Sequence, residues 1–168
     1  MKQVTIMMII SLMTALNACS QAPSNNKVVP GSSEDVKAFP EAKPNAYWKK
    51  VLSPEAYEIM VNKGTETPFE NPYFNNHEKG IYVSAATGKP LFSSDAKFES
   101  GTGWPSFFKP IDPKAVMVVK DHSFGMERDE VVERSTGLHL GHLFNDGPAP
   151  TGLRYCMDSY ALKFIKAK

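Results

Sequence analysis

From Gly80 onward, short strand-like stretches alternate with turn residues, and no helical pattern interrupts them. Turn steps such as Thr87-Gly88 and Asn145-Asp146-Gly147 separate the stretches. Many short strands without helices between them favour an antiparallel β domain. The predicted strands cover residues 81–83, 90–92, 116–119, 130–132, 140–144, 153–157 and 161–165.

Two short helices are predicted before the strands. Ser53-Pro54-Glu55 combines a capping residue with a first-turn proline, apolar residues follow, and Gly64 ends the pattern. A shorter helix is predicted over residues 46–51. The predicted fold class is therefore mainly β (α+β), an antiparallel β-sheet domain with short N-terminal helices.

The N-terminus has the features of an export signal. Lys2 precedes an apolar run over residues 4–15, which is too short to span a bilayer comfortably. Leu16-Asn17-Ala18-Cys19 then resembles the bacterial lipobox, which implies cleavage before Cys19 and acylation of its sulfur. The alternative is a plain signal peptide with a chance cysteine. Ser20 resembles the residue that follows the cysteine in lipoproteins of the Gram-negative outer membrane.

Three regions are predicted on this basis. Residues 1–18 form a lipoprotein signal peptide, residues 19–44 an acylated cysteine with a flexible tether, and residues 45–168 one folded domain. The expected location is the bacterial cell envelope, with a lipid anchor in a membrane and the domain facing the periplasm or the exterior. The formal net charge is +1 with acids and bases interleaved, so no nucleic-acid partner is expected.

Cys156 is the only cysteine of the folded region, because the other of the two cysteines is Cys19. A disulfide within the domain is excluded, which leaves an inert small side chain or a nucleophile. Arg154 and Asp158 flank Cys156 at a spacing of two residues, so on a strand the three side chains share a face. A cationic neighbour favours the thiolate, which is the reactive form.

Two histidines precede the cysteine strand. His139 and His142 lie ahead of a tight turn at Asp146-Gly147-Pro148, and a hairpin through that turn brings an imidazole toward Cys156. From these residues alone, a core cysteine with surface histidines is an equal alternative.

A glycine-rich turn presents aromatic side chains between residues 100 and 108. Gly101 and Gly103 precede Trp104, and Phe107 and Phe108 follow. Such aromatics more often cover a core, but they also form cages for a methyl or thioether group. Sulfur–aromatic contacts contribute about 0.3–1.5 kcal/mol each, which favours a methionine-like ligand.

Three motifs follow one another in a fixed order: Gly103-Trp104-Pro105-Ser106-Phe107, then His139-Leu140-Gly141-His142-Leu143-Phe144, then the run over residues 146–156. In order and spacing they resemble the peptide methionine-R-sulfoxide reductase (MsrB) family. Thr65-Glu66-Thr67-Pro68-Phe69 also resembles that family, and the match covers nearly all of residues 47–164. The resemblance implies the family's antiparallel β fold and the reduction of methionine-R-sulfoxide in oxidised proteins or peptides.

The resemblance implies a role for each motif residue. The Cys156 thiolate attacks the sulfoxide sulfur and ends as a sulfenic acid, while His139 and His142 surround the sulfoxide oxygen and deliver its proton. Asp158 belongs to the same catalytic group, and Arg154 favours the thiolate by its charge. The implied substrate-binding residues are Trp104, which holds the ε-methyl group, Phe107 and Arg154.

The chain departs from the family's pattern at the metal site. Where many relatives carry two Cys-x-x-Cys pairs that bind zinc, this chain has Ser84, Thr87, Glu133 and Thr136. One carboxylate and three hydroxyls are a poor zinc site, so no metal and no other cofactor are predicted.

Two further departures concern the thiol chemistry. Thr102 stands where the family has its resolving cysteine, so an external thiol, such as a thioredoxin-like protein of the envelope, is expected to reduce the sulfenic acid. Asp158 stands where the family more commonly has Asn. A carboxylate there raises the pKa of the thiol unless it is protonated or paired, for example with Arg154 or a histidine. A monomer is expected.

Two other functions fit parts of the sequence. A Cys–His hydrolase or acyl transferase would pair Cys156 with His139 or His142, but it requires an oxyanion hole that the sequence does not reveal, and it leaves the Trp104 turn unexplained. A non-catalytic lipoprotein that binds methionine-like side chains would account for the missing second cysteine and for Asp158. Both rank below the reductase.

Overall fold

The computed structural model describes residues 38–122, 125 and 127–168. The predicted signal peptide, Cys19 and most of the predicted tether lie outside the described residues. None of the helices in the described part has the length and apolarity needed to cross a bilayer. At the end of the predicted tether, the Glu41 amide donates to the Ser135 carbonyl at 2.8 Å.

Both predicted helices form, and the second begins at the predicted cap and proline. Helix α1 spans Asn45–Val51 and helix α2 spans Pro54–Met60. Ser53 caps α2, since its hydroxyl accepts a hydrogen bond from the Ala56 amide at 3.2 Å, and Pro54 occupies the first helical turn. The buried face of α2 packs against the strand that carries the two motif histidines.

The rest of the described chain is built of short strands, and the prediction of a mainly antiparallel β domain is confirmed. Every pair of neighbouring strands is antiparallel. The strands are β1 Gly80–Ser84, β2 Pro90–Ser93, β3 Lys97–Phe98, β4 Ser106–Phe107, β5 Val116–Asp121, β6 Arg128–Glu133, β7 His139–Phe144, β8 Arg154–Met157 and β9 Leu162–Lys166.

Two sheets enclose the core. One has the strand order β2-β1-β9 and the other the order β3-β4-β8-β7-β6-β5. Aromatic rings from both sheets meet between them: Phe107 of β4 stacks on Phe92 of β2 with ring centroids 4.5 Å apart, and Tyr82 of β1 meets Phe107 edge-on at 5.0 Å. These contacts hold β4 against the smaller sheet.

The sequence pattern does not reveal β3 and β4, which are two residues long each. Neither is long enough to show an alternation of apolar and polar residues, and their strand pairing comes from neighbours distant in sequence. Strand β4 matters for the site, because it pairs directly with the cysteine strand β8.

Candidate active site

A row of polar side chains crosses four adjacent strands of the larger sheet. Ser106 of β4 and His142 of β7 both stand opposite Cys156 of β8, and Glu130 of β6 stands opposite His142. Residues directly opposite one another in antiparallel strands project from the same face of the sheet. The register therefore places a hydroxyl, a thiol, an imidazole and a carboxylate side by side.

A β-bulge brings the two motif histidines together. Residues three apart on a regular strand point to opposite faces, but the register of β7 against β6 shifts between the pairs Gly141–Val131 and His139–Val132. The extra residue turns His139 and His142 to the same side, with ring centroids 5.2 Å apart. Gly141 is required there because its φ is 150° and a Cβ would lie 2.2 Å from the Cys156 carbonyl oxygen.

His139 lies buried between two carboxylates. Its Nδ1 is 2.8 Å from Glu130 Oε1 and its Nε2 is 3.4 Å from Asp158 Oδ2, and all three side chains are almost fully buried. Burial alone lowers the pKa of His139, but hydrogen bonding and charge from Asp158 and Glu130 outweigh it and raise the pKa above its ordinary value. The two carboxylates therefore favour the imidazolium form of His139.

His142 has the opposite tendency. Its Nε2 lies 3.3 Å from Asp121 Oδ2, and the ring is partly exposed beside Cys156. Burial and the charge of His139 lower the pKa of His142, and the nearby Asp121 only partly offsets them. The surroundings thus move the two pKa values apart, that of His139 upward and that of His142 downward, which is the arrangement expected of a pair with different acid–base roles.

Cys156 is a half-buried free thiol, and Thr102 Oγ1 lies 3.9 Å from its sulfur. Burial raises the pKa of the thiol, and the Asp158 carboxylate adds to the rise, while the charge of Arg154 and the Thr102 hydroxyl lower it. Asp146 fixes the Arg154 guanidinium through two hydrogen bonds of 2.8 and 2.9 Å.

Trp104 projects from the glycine-rich turn toward a neighbouring loop. Its Nε1 donates to the Glu66 carbonyl at 3.1 Å, and Asn71 Nδ2 donates to the Gly103 carbonyl at 2.7 Å. Gly103 has a φ of 88° and no room for a Cβ against Phe69, so only glycine fits this turn. The indole is held at its nitrogen and leaves its partly exposed ring for contact with a ligand.

Glu66 joins the tryptophan turn to the chain after the cysteine. Its carboxylate accepts hydrogen bonds from the Ser159 and Tyr160 amides. Burial, followed by the charge of the neighbouring Asp158, raises the pKa of Glu66 to about 7. Burial thus brings the pKa of this carboxyl group toward neutral pH, next to the predicted catalytic residues.

Most of the predicted site residues come together. Cys156, His139, His142, Asp158 and Arg154 share one region of the sheet, and Trp104 is tied to it through Glu66. The structure places Phe107 in the core with no exposed surface, so its ring has no face through which to touch a substrate. The predicted lipidation site, Cys19, lies outside the described residues.

Sequence reasoning missed the supporting groups of the site. Asn71 hydrogen-bonds to the Trp104 turn, and Asp146 hydrogen-bonds to Arg154. Glu66 links the Trp104 turn to Ser159, and Glu130 contacts His139. One signal for Glu130 was present in the sequence, since it places a carboxylate directly before the apolar Val131 and Val132 of a predicted strand. The remaining contacts join segments far apart in the chain, which no local pattern reveals.

The four residues that the resemblance places at zinc-ligand positions, Ser84, Thr87, Glu133 and Thr136, also come together. Both carboxylate oxygens of Glu133 accept hydrogen bonds from hydroxyl groups; the donors are Ser84, Thr87, Ser135 and Thr136. A set of hydroxyls with one carboxylate, whose oxygens are already satisfied, does not fit zinc, which prefers thiolate and imidazole ligands. Within the described residues, no group of three or more His, Cys, Asp or Glu side chains is placed to hold a metal ion.

Comparison with known proteins gives one family. A family model described as SelR domain matches residues 52–166. The peptide methionine sulfoxide reductase MsrB of Leptospira interrogans is 56% identical over 119 residues, which are 71% of this chain and 91% of that protein. The protein of the same name from Methanosarcina barkeri is 56% identical over 117 residues, 70% of this chain and 82% of that protein. The one from Agrobacterium fabrum is 50% identical over 122 residues, 73% and 90%.

Proposed function

This chain belongs to the SelR domain family, and we propose that it reduces methionine-R-sulfoxide in peptides and proteins with one cysteine and without zinc. The observation that carries the proposal is the placement of His142 and Ser106 on either side of Cys156, with His139 and Asp158 packed beside them. Peptide methionine sulfoxide reduction is the activity that its relatives' names state, and it is the activity of this enzyme.

The chemical step balances around the cysteine sulfur. The Cys156 thiolate attacks the sulfoxide sulfur, and the sulfoxide oxygen takes up one proton and passes to the cysteine. Methionine leaves, and Cys156 becomes a sulfenic acid, so that the substrate sulfur gains two electrons and the cysteine sulfur loses two.

His142 moves the proton in this step. In the neutral ring, the proton on Nε2 is donated to Asp121, which leaves Nδ1 as an acceptor. His142 stands opposite Cys156, so Nδ1 takes the thiol proton as the thiolate forms and returns it to the sulfoxide oxygen. Arg154 supports the thiolate by its charge.

The second half of the cycle uses a thiol from outside the domain. Thr102 stands at the predicted position of the resolving cysteine, 3.9 Å from the Cys156 sulfur, and its hydroxyl group cannot form a disulfide. Two thiol groups of an external reductant, such as a thioredoxin-like protein, return the sulfenic acid to the thiol, release one water and leave as a disulfide.

A single-turnover experiment tests this function. The protein is mixed with an excess of racemic methionine sulfoxide peptide and no reductant, and the products are followed by chiral chromatography and mass spectrometry. One equivalent of methionine, loss of the R epimer alone and a gain of about 16 Da at Cys156, the mass of one oxygen, are expected. No methionine and an unmodified Cys156 would refute the reductase function, and loss of the S epimer would refute the stereochemistry.

The N-terminal sequence supports a location for this activity. The charged start, the short apolar run and the Leu-x-Ala-Cys motif favour an envelope lipoprotein anchored through Cys19, with repair of oxidised envelope proteins as its task. In an expressing bacterium, labelled palmitate is expected to enter the wild-type chain but not a Cys19→Ala variant. Equal labelling of both, or of neither, would contradict the anchor.

A further inference from the structure

We propose that Glu130 is a positioning residue of the active site, which holds the proton on Nδ1 of His139 and so directs Nε2–H toward Asp158 beside the nucleophile. The role rests on the proposed function and adds to it a residue that touches neither the substrate nor Cys156. It also gives a reason why a carboxylate is tolerated at position 158.

The burial of the Glu130 carboxylate is energetically unfavourable by itself. Its side chain is 2% exposed on strand β6, next to the buried Val131 and Val132. Removing a carboxylate from water costs several kcal/mol unless charged hydrogen bonds replace the lost hydration. An apolar side chain would fill this place in the core at no such cost, so the contacts of Glu130 indicate its role.

Those contacts form a chain of alternating charge. Lys63 Nζ lies 2.8 Å from Glu130 Oε2, Glu130 Oε1 lies 2.8 Å from His139 Nδ1, and His139 Nε2 lies 3.4 Å from Asp158 Oδ2. Lys63, just after α2, has a left-handed backbone with a φ of 58°, which is strained for a residue other than glycine. The strained backbone at Lys63 thus places its ammonium group against the carboxylate of Glu130, which lies 67 residues later in the sequence.

The geometry sets the tautomer of His139. A carboxylate only accepts hydrogen bonds, so the nitrogen at 2.8 Å from Glu130 must carry a proton in every charge state of the ring. The second proton then resides on Nε2, which lies at ion-pair distance from Asp158 Oδ2; among the described residues, neither Nε2 nor Asp158 Oδ1 has a hydrogen-bond partner. Charge on Nε2 therefore balances a carboxylate that has little other compensation.

Charged or titratable groups face both ring nitrogens of His139 and the ring itself. Glu130 and, behind it, Lys63 face Nδ1, while Asp158 faces Nε2. His142 lies against the ring and Glu66 lies near Asp158, as its raised pKa reflects. Glu130 and Asp158 favour the imidazolium, and Lys63 and a protonated His142 oppose it.

Position 158 explains why this arrangement matters. The Asp158 carboxylate raises the pKa of Cys156 and so works against the thiolate. An imidazolium at His139 offsets that repulsion, and Glu130 keeps the imidazolium in place. We therefore expect the enzyme to need His139 in its charged form, and to lose activity when that proton is lost at high pH.

The titration of His139, followed by the ¹⁵N signals of its ring in the whole protein, tests the role of Glu130 without any turnover. In the wild type, Nδ1 is expected to stay protonated after the ring becomes neutral. Glu130→Gln removes the charge but keeps an acceptor oxygen, and it is expected to move the titration down by about 1–3 pH units. Lys63→Met removes the opposing cation, so the titration is expected to move up or stay in place.

Glu133→Gln is the matched control, because Glu133 is another buried glutamate of β6 whose partners are hydroxyl groups. It is expected to leave the His139 titration unchanged. In kinetics, Glu130→Gln is expected to move the high-pH decline of kcat to lower pH by the same amount as the titration. Its KM for the sulfoxide peptide is expected to stay within about twofold of the wild type, since Glu130 is remote from the substrate.

Clear outcomes would overturn the role of Glu130. They are a neutral His139 that carries its proton on Nε2, a titration that Glu130→Gln leaves unchanged, or one that Glu133→Gln moves as far. If Glu130→Gln does not fold, the wild-type tautomer and the upward or zero shift in Lys63→Met still decide. A wild type that titrates as expected but reduces no sulfoxide would refute the proposed function and leave the pairing of Glu130 with His139 standing.

Discussion

Ser84→Ala is expected to lower the stability of the domain markedly, because Ser84 belongs to the hydroxyl cluster around Glu133. The Ser84 hydroxyl donates to Glu133 Oε2 at 2.9 Å, and both residues are almost fully buried. Ser84 Oγ also accepts hydrogen bonds from the amides of Ala86 and Thr87 at 3.2 and 3.3 Å. The substitution therefore removes one charged and two neutral hydrogen bonds without changing the backbone.

The magnitude follows from these contacts. A buried hydrogen bond to a charged group contributes about 1.5–3 kcal/mol, and the loss of an acceptor for two partly exposed amides adds about 0.5–1 kcal/mol. We expect the free energy of unfolding to fall by about 2–4 kcal/mol. For a domain of this size, such a loss lowers Tm by about 10 °C.

Urea unfolding followed by circular dichroism measures the change, with Ser93→Ala as the matched control. The Ser93 hydroxyl accepts one hydrogen bond, from the exposed Asp95 amide, so its loss is expected to cost less than about 1 kcal/mol. Because hydroxyl groups donate to both carboxylate oxygens of Glu133, EDTA is expected to leave the unfolding midpoint of the wild type unchanged.

Two results would refute this reasoning. If Ser84→Ala unfolds at the same urea concentration as Ser93→Ala, the cluster does not stabilise the fold. If EDTA lowers the wild-type midpoint, a metal ion occupies the place that we assign to hydrogen bonds.

The remaining predictions concern the active site. Cys156→Ser is expected to lower kcat at least about a thousandfold with an unchanged circular dichroism spectrum, and near-normal turnover would defeat the mechanism. Trp104→Ala is expected to raise KM by a few-fold to about tenfold, as the loss of sulfur–aromatic contact predicts, and an unchanged KM would contradict substrate binding by the indole. Asp158→Asn removes a charge that raises the pKa of Cys156, so the rate of alkylation by iodoacetamide is expected to reach its midpoint at a lower pH. A midpoint at the same or a higher pH would show that Asp158 does not act on the thiol.

Local patterns were sufficient for α2, for most of the strands and for the shared face of Arg154 and Cys156. The capping serine and proline predicted α2, and turn residues separated seven strands that the structure contains with slightly different ends. Arg154 and Cys156 were expected on one face because a strand alternates its side chains, and both charge interaction and register agree.

The same alternation misleads for the two histidines. A spacing of three residues on a regular strand predicts opposite faces for His139 and His142, yet the bulge in β7 puts their rings 5.2 Å apart. The bulge depends on how β7 packs against its neighbours and on the space that Gly141 leaves beside Cys156. Neither condition is visible in the local sequence.

The sequence by itself determined the chemistry available to this protein: a single thiol in the domain, two histidines ahead of it and a tryptophan turn, in an order that resembles one family. Tertiary structure alone decided how those groups are tuned. Lys63 meets Glu130 across 67 residues and Glu66 meets Ser159 across 93, because strand register and sheet packing set those distances. A pKa depends on burial and on such long-range charges, so the raised pKa of His139 is a property of the fold and not of any one segment of the chain.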